Sequence, residues 1–203
     1  MSAPNDRPPP GLSIAAFFEQ WLPGAFVAGL SPGRQRSVEV DVRVCIEGEG
    51  GGAWDVRVQS GGLFVEEPRA GERSLTIRQS VRDFRALAWG EPPAHQLVPA
   101  RGTALDLLFI DPQLQQLIQT VRGTVRLEVT DYNGRDWQIT LKLGAGPAPD
   151  APDAVISIDA DTHARIVART LAPPEAFFSG RVKITGNAAL AMQLAMALLP
   201  KMV

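Results

Sequence analysis

The stretch FFSGRVKITGNAALAMQLAMALLP, residues 177–200, contains the clearest structural pattern in this chain. Polar and apolar side chains alternate over residues 181–185, which predicts a short strand with one buried face. Gly186 follows where this strand must end, and Asn187 is a suitable helix cap. In the helix predicted over 187–199, the single polar side chain after the cap is Gln193. Nearly all sides of this helix must therefore be covered, by a ligand, another lobe or another subunit; the alternative is an ordinary core helix.

The residues before this stretch show a regular order of strands and helices. The predicted strands are 125–129, 137–143 and 155–158, and Asn133 with Gly134 is typical of a hairpin turn between the first two. Asp159 or Asp161 can cap a helix that ends near residue 171, since Pro173 and Pro174 oppose its continuation. These elements and the final strand and helix together predict an α+β unit.

The first half of the chain has the same order of elements. A helix is predicted over 12–22, ending before Pro23, and another over 80–89, capped by Ser80 and stopped by Gly90. The predicted strands are 38–46, 54–58, 74–79 and 105–110, with the glycines of 48–52 forming a hairpin turn and a helix starting at Asp111 and Pro112. The order recurs about 80 residues later, which predicts a tandem repeat. Chance similarity between α+β segments is the alternative.

Three motifs in the second half resemble one known family. They are the segment 177–187 with the apolar helix after it, the strand Gly-Thr-Val-Arg-Leu-Glu-Val-Thr at 123–130, and the acidic turn Asp159-Ala160-Asp161. From about residue 112 to 203 the chain is similar to the sterol carrier protein 2 family of lipid-binding domains. The resemblance implies a mostly antiparallel sheet, covered by helices on one face, with an apolar tunnel between sheet and helices.

The expected fold class is therefore α+β, with two sterol-carrier-like lobes that each contain a mostly antiparallel sheet covered by helices on one face. Residues 1–11, rich in proline, are expected to be a disordered leader. Residues 12–111 are expected to form a degenerate lobe, because the motif of 177–187 has no close match there. Residues 112–203 are expected to form the lipid-binding lobe.

Alternation on the strands and the apolar final helix indicate which side chains line the tunnel. The predicted lining residues are Trp137, Ile139, Phe177, Phe178, Ile184, Met192 and Leu199. The implied ligand is an apolar lipid: a fatty acid, an acyl-CoA, a sterol or an isoprenoid quinone. The protein would bind it and present or transfer it. The alternative is an interaction or oligomerisation module, or an accessory factor, with no ligand of its own.

Composition bears on the remaining function classes. The 20 Lys and Arg against 22 Asp and Glu, a net charge of −2, argue against general nucleic-acid binding. One cysteine and two histidines without metal-ligand spacing, His95 and His163, predict no metal site, no cofactor and no catalytic residue. We therefore expect a protein that is not an enzyme. Without a signal peptide or a spanning apolar run, we expect a cytoplasmic location and no integral membrane span, while transient membrane contact and self-association are left open.

Overall fold

The computed structural model describes residues 7–29, 40–71, 73–90, 118–132, 134–146, 149 and 151–198. The strands are β1 (Val40–Glu47), β2 (Gly52–Gln59), β3 (Gly62–Glu66), β4 (Leu75–Ser80), β5 (Gly123–Tyr132), β6 (Arg135–Leu143), β7 (Ala154–Asp159) and β8 (Val182–Gly186). The helices are α1 (14–29), α2 (Val81–Trp89), α3 (Ala160–Val167), α4 (Pro173–Phe178) and α5 (Ala188–Leu198). Residues 118–120 are also helical. The strand predicted over 105–110 and the start of the helix at Asp111 lie outside the described residues.

The strands of both halves form one sheet with the order β3-β2-β1-β4-β6-β5-β7-β8. Neighbouring strands are antiparallel except β1 with β4 and β5 with β7. The halves are joined where β4 pairs with β6, from Leu75 opposite Leu143 to Arg78 opposite Thr140. The predicted α+β fold with a mostly antiparallel sheet and helices is confirmed.

Three strands in each half share one pairing pattern. A hairpin is followed by a third strand that lies parallel to the first strand of that hairpin, giving β2-β1-β4 and β6-β5-β7. In the second half, β8 continues the sheet beside β7, whereas β6 occupies the corresponding place beside β4. Within the described part of the chain, β3 has no counterpart in the second half. The tandem repeat stays a prediction.

The inner face of the sheet carries the hydrophobic core. In the first half, alternate residues of β1 and β2 are buried beneath α1, whose Phe18 stacks on Trp54 with ring centroids 4.5 Å apart. Phe84 of α2 stacks on the other side of this cluster, 5.4 Å from Phe18. Aromatic pairs of this kind add to the burial energy of their apolar surface. The first half of the inner face is thus closed by protein side chains.

The outer face of the same strands is polar, and its main ion-pair network centres on Asp55. This carboxylate is buried and accepts hydrogen bonds from Arg43 Nε at 2.8 Å, the Arg69 backbone N–H at 2.9 Å and an Arg73 guanidinium nitrogen at 2.6 Å. Burial alone would raise the pKa of Asp55, but the hydrogen bonds and the positive charges lower it below its usual value. Asp55 is therefore ionised at neutral pH and fully paired.

Side-chain caps start three helices where the sequence indicated them. Ser80 accepts a hydrogen bond from the Asp83 backbone N–H at 3.0 Å, and Asp159 accepts one from the Thr162 backbone N–H at 2.8 Å. The Asn187 side-chain oxygen accepts a hydrogen bond from the Leu190 backbone N–H at 3.1 Å. Asp159, and not Asp161, caps α3. These bonds satisfy N–H groups that have no partner within the helix.

The local structure differs from the prediction at three points. The first helix continues past Pro23, because a π-helical segment, Phe17–Trp21, directly precedes Leu22–Gly29. A wider turn is one way for a helix to accommodate a proline, whose ring crowds the carbonyl four residues earlier. Pro173 and Pro174 start the short helix α4 instead of only ending the previous one, since proline fits the first turn. The strand β3 was not predicted, although Ser60 and Gly61, both with positive φ, form a tight hairpin turn before it.

The expected disordered leader does not extend over residues 7–11. Pro8 is buried, and the Pro9 carbonyl accepts a hydrogen bond from the indole N–H of Trp89 at 3.0 Å. A tryptophan N–H that is buried usually finds such a partner. Pro8 and Pro9 are thus fixed near the end of α2.

Gly186 sits at a tight crossing between β8 and the loop before β7. Its φ is +78°, and a Cβ there would clash with the Asp153 carbonyl oxygen and lie 3.2 Å from Ala154 Cα. The same carbonyl oxygen accepts the Asn187 backbone N–H at 2.8 Å, directly before α5. The missing Cβ therefore permits the approach from which α5 starts.

We expect Gly186→Ala to destabilise the protein by about 2–4 kcal/mol, because backbone strain and a steric clash act together. Gly50→Ala is the matched control, since Gly50 has φ +76° but no atom within 4 Å of a Cβ. Strain alone should cost about 1 kcal/mol at Gly50. Urea denaturation measures both variants, and equal losses would show that the crossing at Asp153 is not tight.

Candidate functional site

The strand register places inward-facing side chains of β6, β5, β7 and β8 in three rows across the sheet. The first row is Leu141, Val125, Ala154 and Gly186; the second is Ile139, Leu127, Ile156 and Ile184; the third is Trp137, Val129, Ile158 and Val182. We call the second row the middle row. Its four side chains are all apolar, and each comes from a different strand.

Each row beside the middle row contains two buried residues, Val125 and Ala154 in the first row and Val129 and Trp137 in the third. Leu190, Ala191 and Leu194 of α5 share a buried cluster with Val125 and Ala154 of the first row. The third row is covered at one end by α2 and at the other end by α3 and the segment after it. In one cluster, Val129 and Trp137 pack with Ala86 and Tyr132. In the other, Ile158 and Val182 pack with Ile166, Leu171 and Ala176.

The middle row itself is only partly buried at all four positions. By contrast, Val42, Val44, Ile46, Val56 and Val58 on the same face of the first half are all buried. An apolar strip that is partly buried along its whole length can take up an apolar ligand, because burial of its remaining surface and of the ligand's surface is favourable. The middle row is therefore the candidate binding site.

The first half of the chain supplies one wall of this site. The Trp137 indole N–H donates a hydrogen bond to the Asp83 carbonyl at 3.0 Å, and Arg82 donates to the Asp136 carbonyl. Ala86 and Leu87 of α2 pack against the same cluster as Trp137 and Ile139. The site in the second half is thus bounded by a helix of the first half.

The predicted lining residues are found in different places. Ile139 and Ile184 belong to the middle row, and Trp137 lies beside it in the third row, buried under α2. Met192 on α5 and Phe177 on α4 are partly buried, and Leu199 lies outside the described residues.

Phe178 is 85% exposed and does not face the sheet as expected. Ala176 is the residue of α4 that is buried against Leu171, and a position two residues later points to the opposite side of a helix. Leu127 and Ile156, by contrast, were missed as lining residues. Their alternation with polar neighbours on β5 and β7 was the signal that could have identified them.

A buried polar side chain lies on α3, which packs over the third row. The buried residues of α3 are Thr162, His163 and Ile166. Thr162 bonds to Asp159, but His163 Nδ1 is buried and has no hydrogen-bond partner among the described residues. Burial lowers the pKa of His163 from 6.5 to about 4, so the imidazole is neutral at pH 7.

The depressed pKa of His163 has a consequence for stability. Between pH 6.5 and pH 4 the unfolded chain binds a proton at this site that the folded chain does not, so stability falls as the pH falls. From pH 7 to pH 5 the wild-type protein should lose about 2 kcal/mol more than His163→Leu. Urea denaturation at both pH values measures the difference. Equal losses of unfolding free energy in wild type and His163→Leu would contradict this prediction.

The hydrogen bond from Trp137 to Asp83 should contribute measurably to stability. Trp137→Phe keeps an aromatic ring in place but removes the donor, so we expect a loss of about 1–2 kcal/mol in the free energy of unfolding. Gln138→Ala, an exposed neighbour on β6, should change it by less than about 0.5 kcal/mol. If the two variants unfold at the same denaturant concentration, the bond between the halves is not stabilising.

Residues 103–199 match the model of the SCP-2 sterol transfer family. This part of the chain is an SCP2 domain. The match confirms the resemblance recognised in the sequence and begins at residue 103, within the segment that was assigned to the first lobe. No helix in the described part of the chain has the length and apolar character needed to cross a membrane.

Known relatives place SCP2 domains of this kind in longer proteins. The chain is 30% identical over 140 residues to hydroxysteroid dehydrogenase-like protein 2 of Homo sapiens, covering 65% of this chain and 32% of that protein. It is 40% identical over 67 residues to peroxisomal multifunctional enzyme type 2 of Mus musculus, covering 30% of this chain and 9% of that protein. The chain thus spans about a third of the length of the first of these relatives.

The prediction that the protein is not an enzyme is wrong, because these relatives are enzymes by name. It rested on the scarcity of catalytic residue types within these 203 residues. Such a composition describes the SCP2 domain and does not report on an enzyme of which the domain forms part.

Among solved structures, the sterol carrier protein domain 2 of Helicoverpa armigera is 28% identical, covering 43% of this chain and 74% of that chain, with a TM-score of 0.32.

Proposed function

We propose that the protein binds one apolar lipid molecule along the middle row and presents or transfers it. The observation that carries this proposal is the partial burial of all four middle-row residues, Ile139, Leu127, Ile156 and Ile184, beside rows that helices contact. The SCP2 domain supports lipid binding and transfer in general. Among the proposed ligands are a fatty acid, an acyl-CoA, a sterol and an isoprenoid quinone.

The physical driving force for such binding is sufficient without a polar contact. Each buried methylene group contributes about 0.8 kcal/mol, so a chain of a dozen carbons can offset the entropy lost on association. Met192, partly buried on α5, adds a flexible side chain that adapts to ligands of different shape. An apolar strip of this kind selects ligands mainly by length and shape.

We further propose that the bound lipid is a substrate or product of an enzymatic step. The relatives that match this chain are named as a dehydrogenase-like protein and a multifunctional enzyme, and the match covers only part of each. The SCP2 domain would then hold an apolar molecule for a catalytic unit of the same protein or of a partner. Two lobes, residues 12–111 and 112–203, and a cytoplasmic location are also part of this proposal.

Two neighbouring residues on β8 provide the test. Ile184 points into the middle row from the edge of the sheet, whereas Thr185 is exposed on the outer face. We expect Ile184→Trp to weaken binding of a fluorescent fatty acid at least tenfold, since the indole occupies the strip. Thr185→Trp should bind like wild type, and thermal melting should show that both variants remain folded.

Native mass spectrometry of the purified protein separates the proposal from its alternative. A co-purifying lipid, lost in Ile184→Trp, supports lipid binding. A ligand-free oligomer, together with equal fatty-acid affinities of Ile184→Trp and Thr185→Trp, would instead favour an interaction module. That result would overturn the proposed site.

A further inference from the structure

His163 lies on α3, the helix that packs over the third row beside the proposed lipid site. Along α3, Ala160 packs with the cluster around Trp137, and Ile166 packs with Ile158 and Val182 of the third row. His163 is midway between these two positions, about 4.5 Å along the helix axis from each, and is buried like them on the side that faces the sheet. His163 therefore lies over the third row, which borders the middle row.

The imidazole of His163 has one buried nitrogen without a hydrogen-bond partner in the part of the chain that the structure describes. It is only 7% exposed, and its Nδ1 has no hydrogen-bond partner among the described residues. Leaving a buried polar atom without a partner is unfavourable, and most such atoms in native proteins are paired. A ligand atom that paired with Nδ1 would remove this cost only in the bound state.

We propose that His163 Nδ1 forms a hydrogen bond with an uncharged oxygen, a hydroxyl or a carbonyl, at the polar end of the lipid. This inference rests on the proposed function and narrows its ligand class. An alcohol or a quinone-type carbonyl fits such a partner better than a carboxylate or a coenzyme A phosphate does.

The argument against a charged end group is electrostatic. Ala160 and Ile166, which flank His163 on the sheet-facing side of α3, are apolar and supply no counter-charge for an anion. An ionised carboxylate beside a neutral imidazole would be desolvated without a counter-charge, which is strongly unfavourable. A hydroxyl or carbonyl needs one hydrogen bond, and a neutral imidazole supplies it as donor or acceptor, according to its tautomer.

The test compares three ligands with the same chain length. Dodecane, dodecanol and dodecanoate are titrated at pH 7.5 as competitors of a fluorescent long-chain alcohol bound to the full chain. Wild type should bind dodecanol about five- to tenfold more tightly than His163→Leu does, which corresponds to one hydrogen bond. Dodecane should bind equally to both proteins, and wild type should prefer dodecanol to dodecanoate.

His163→Asn distinguishes the hydrogen bond from a purely structural role. The Asn amide nitrogen occupies a position similar to Nδ1, so this variant should recover most of the dodecanol affinity. Melting without ligand should show His163→Leu at least as stable as wild type, since leucine removes the unpaired atom. Equal dodecanol affinity in wild type and His163→Leu, or a preference of wild type for dodecanoate, would overturn the inference. If wild type binds none of the three chains, the proposed function itself fails.

Discussion

The pairing of β4 with β6 is the constraint on which the arrangement of this molecule depends. Four consecutive residue pairs, beginning at Leu75 and Leu143, place the last described strand of the first half beside the hairpin of the second half. Because side chains alternate along strands, this register also aligns the apolar faces of both halves. The result is one sheet with a single inner face, covered by helices from both halves of the chain.

The same pairing decides what surrounds the candidate site. It brings α2 over β6, where the Asp83 carbonyl accepts the Trp137 indole N–H. A separate second half would expose this side of the site to water. The relation between the halves is therefore a functional feature as well as a structural one: the first half, whose own inner face is filled by Phe18, Trp54 and Phe84, acts as a wall for the second.

Buried polar groups are paired differently on the two faces of the sheet. On the outer face, the buried carboxylate of Asp55 is matched by three donors, so its charge is compensated within the protein. On the inner face, His163 is neutral and its Nδ1 lacks a partner among the described residues. Complete pairing serves stability, whereas a group left unpaired in a binding site costs stability and leaves a contact for a ligand.

The sequence alone determined the local elements and the family. Alternation predicted β1, β5, β6 and β8, the cap residues Ser80, Asp159 and Asn187 located the starts of three helices, and the motif at 177–187 indicated the SCP2 domain. These features depend on residues that are close together in the chain, so each signal is complete within one short segment.

The tertiary structure decided the rest. The β4–β6 pairing joins segments about 65 residues apart, and nothing in either strand specifies its partner. The alignment of Ile139, Leu127, Ile156 and Ile184 into one row follows from registers that are set only when the four strands pair. Whether a side chain in an apolar helix or strand is covered depends on what packs over it. For that reason the sequence placed Phe178 in the site, and the fold leaves it in solvent.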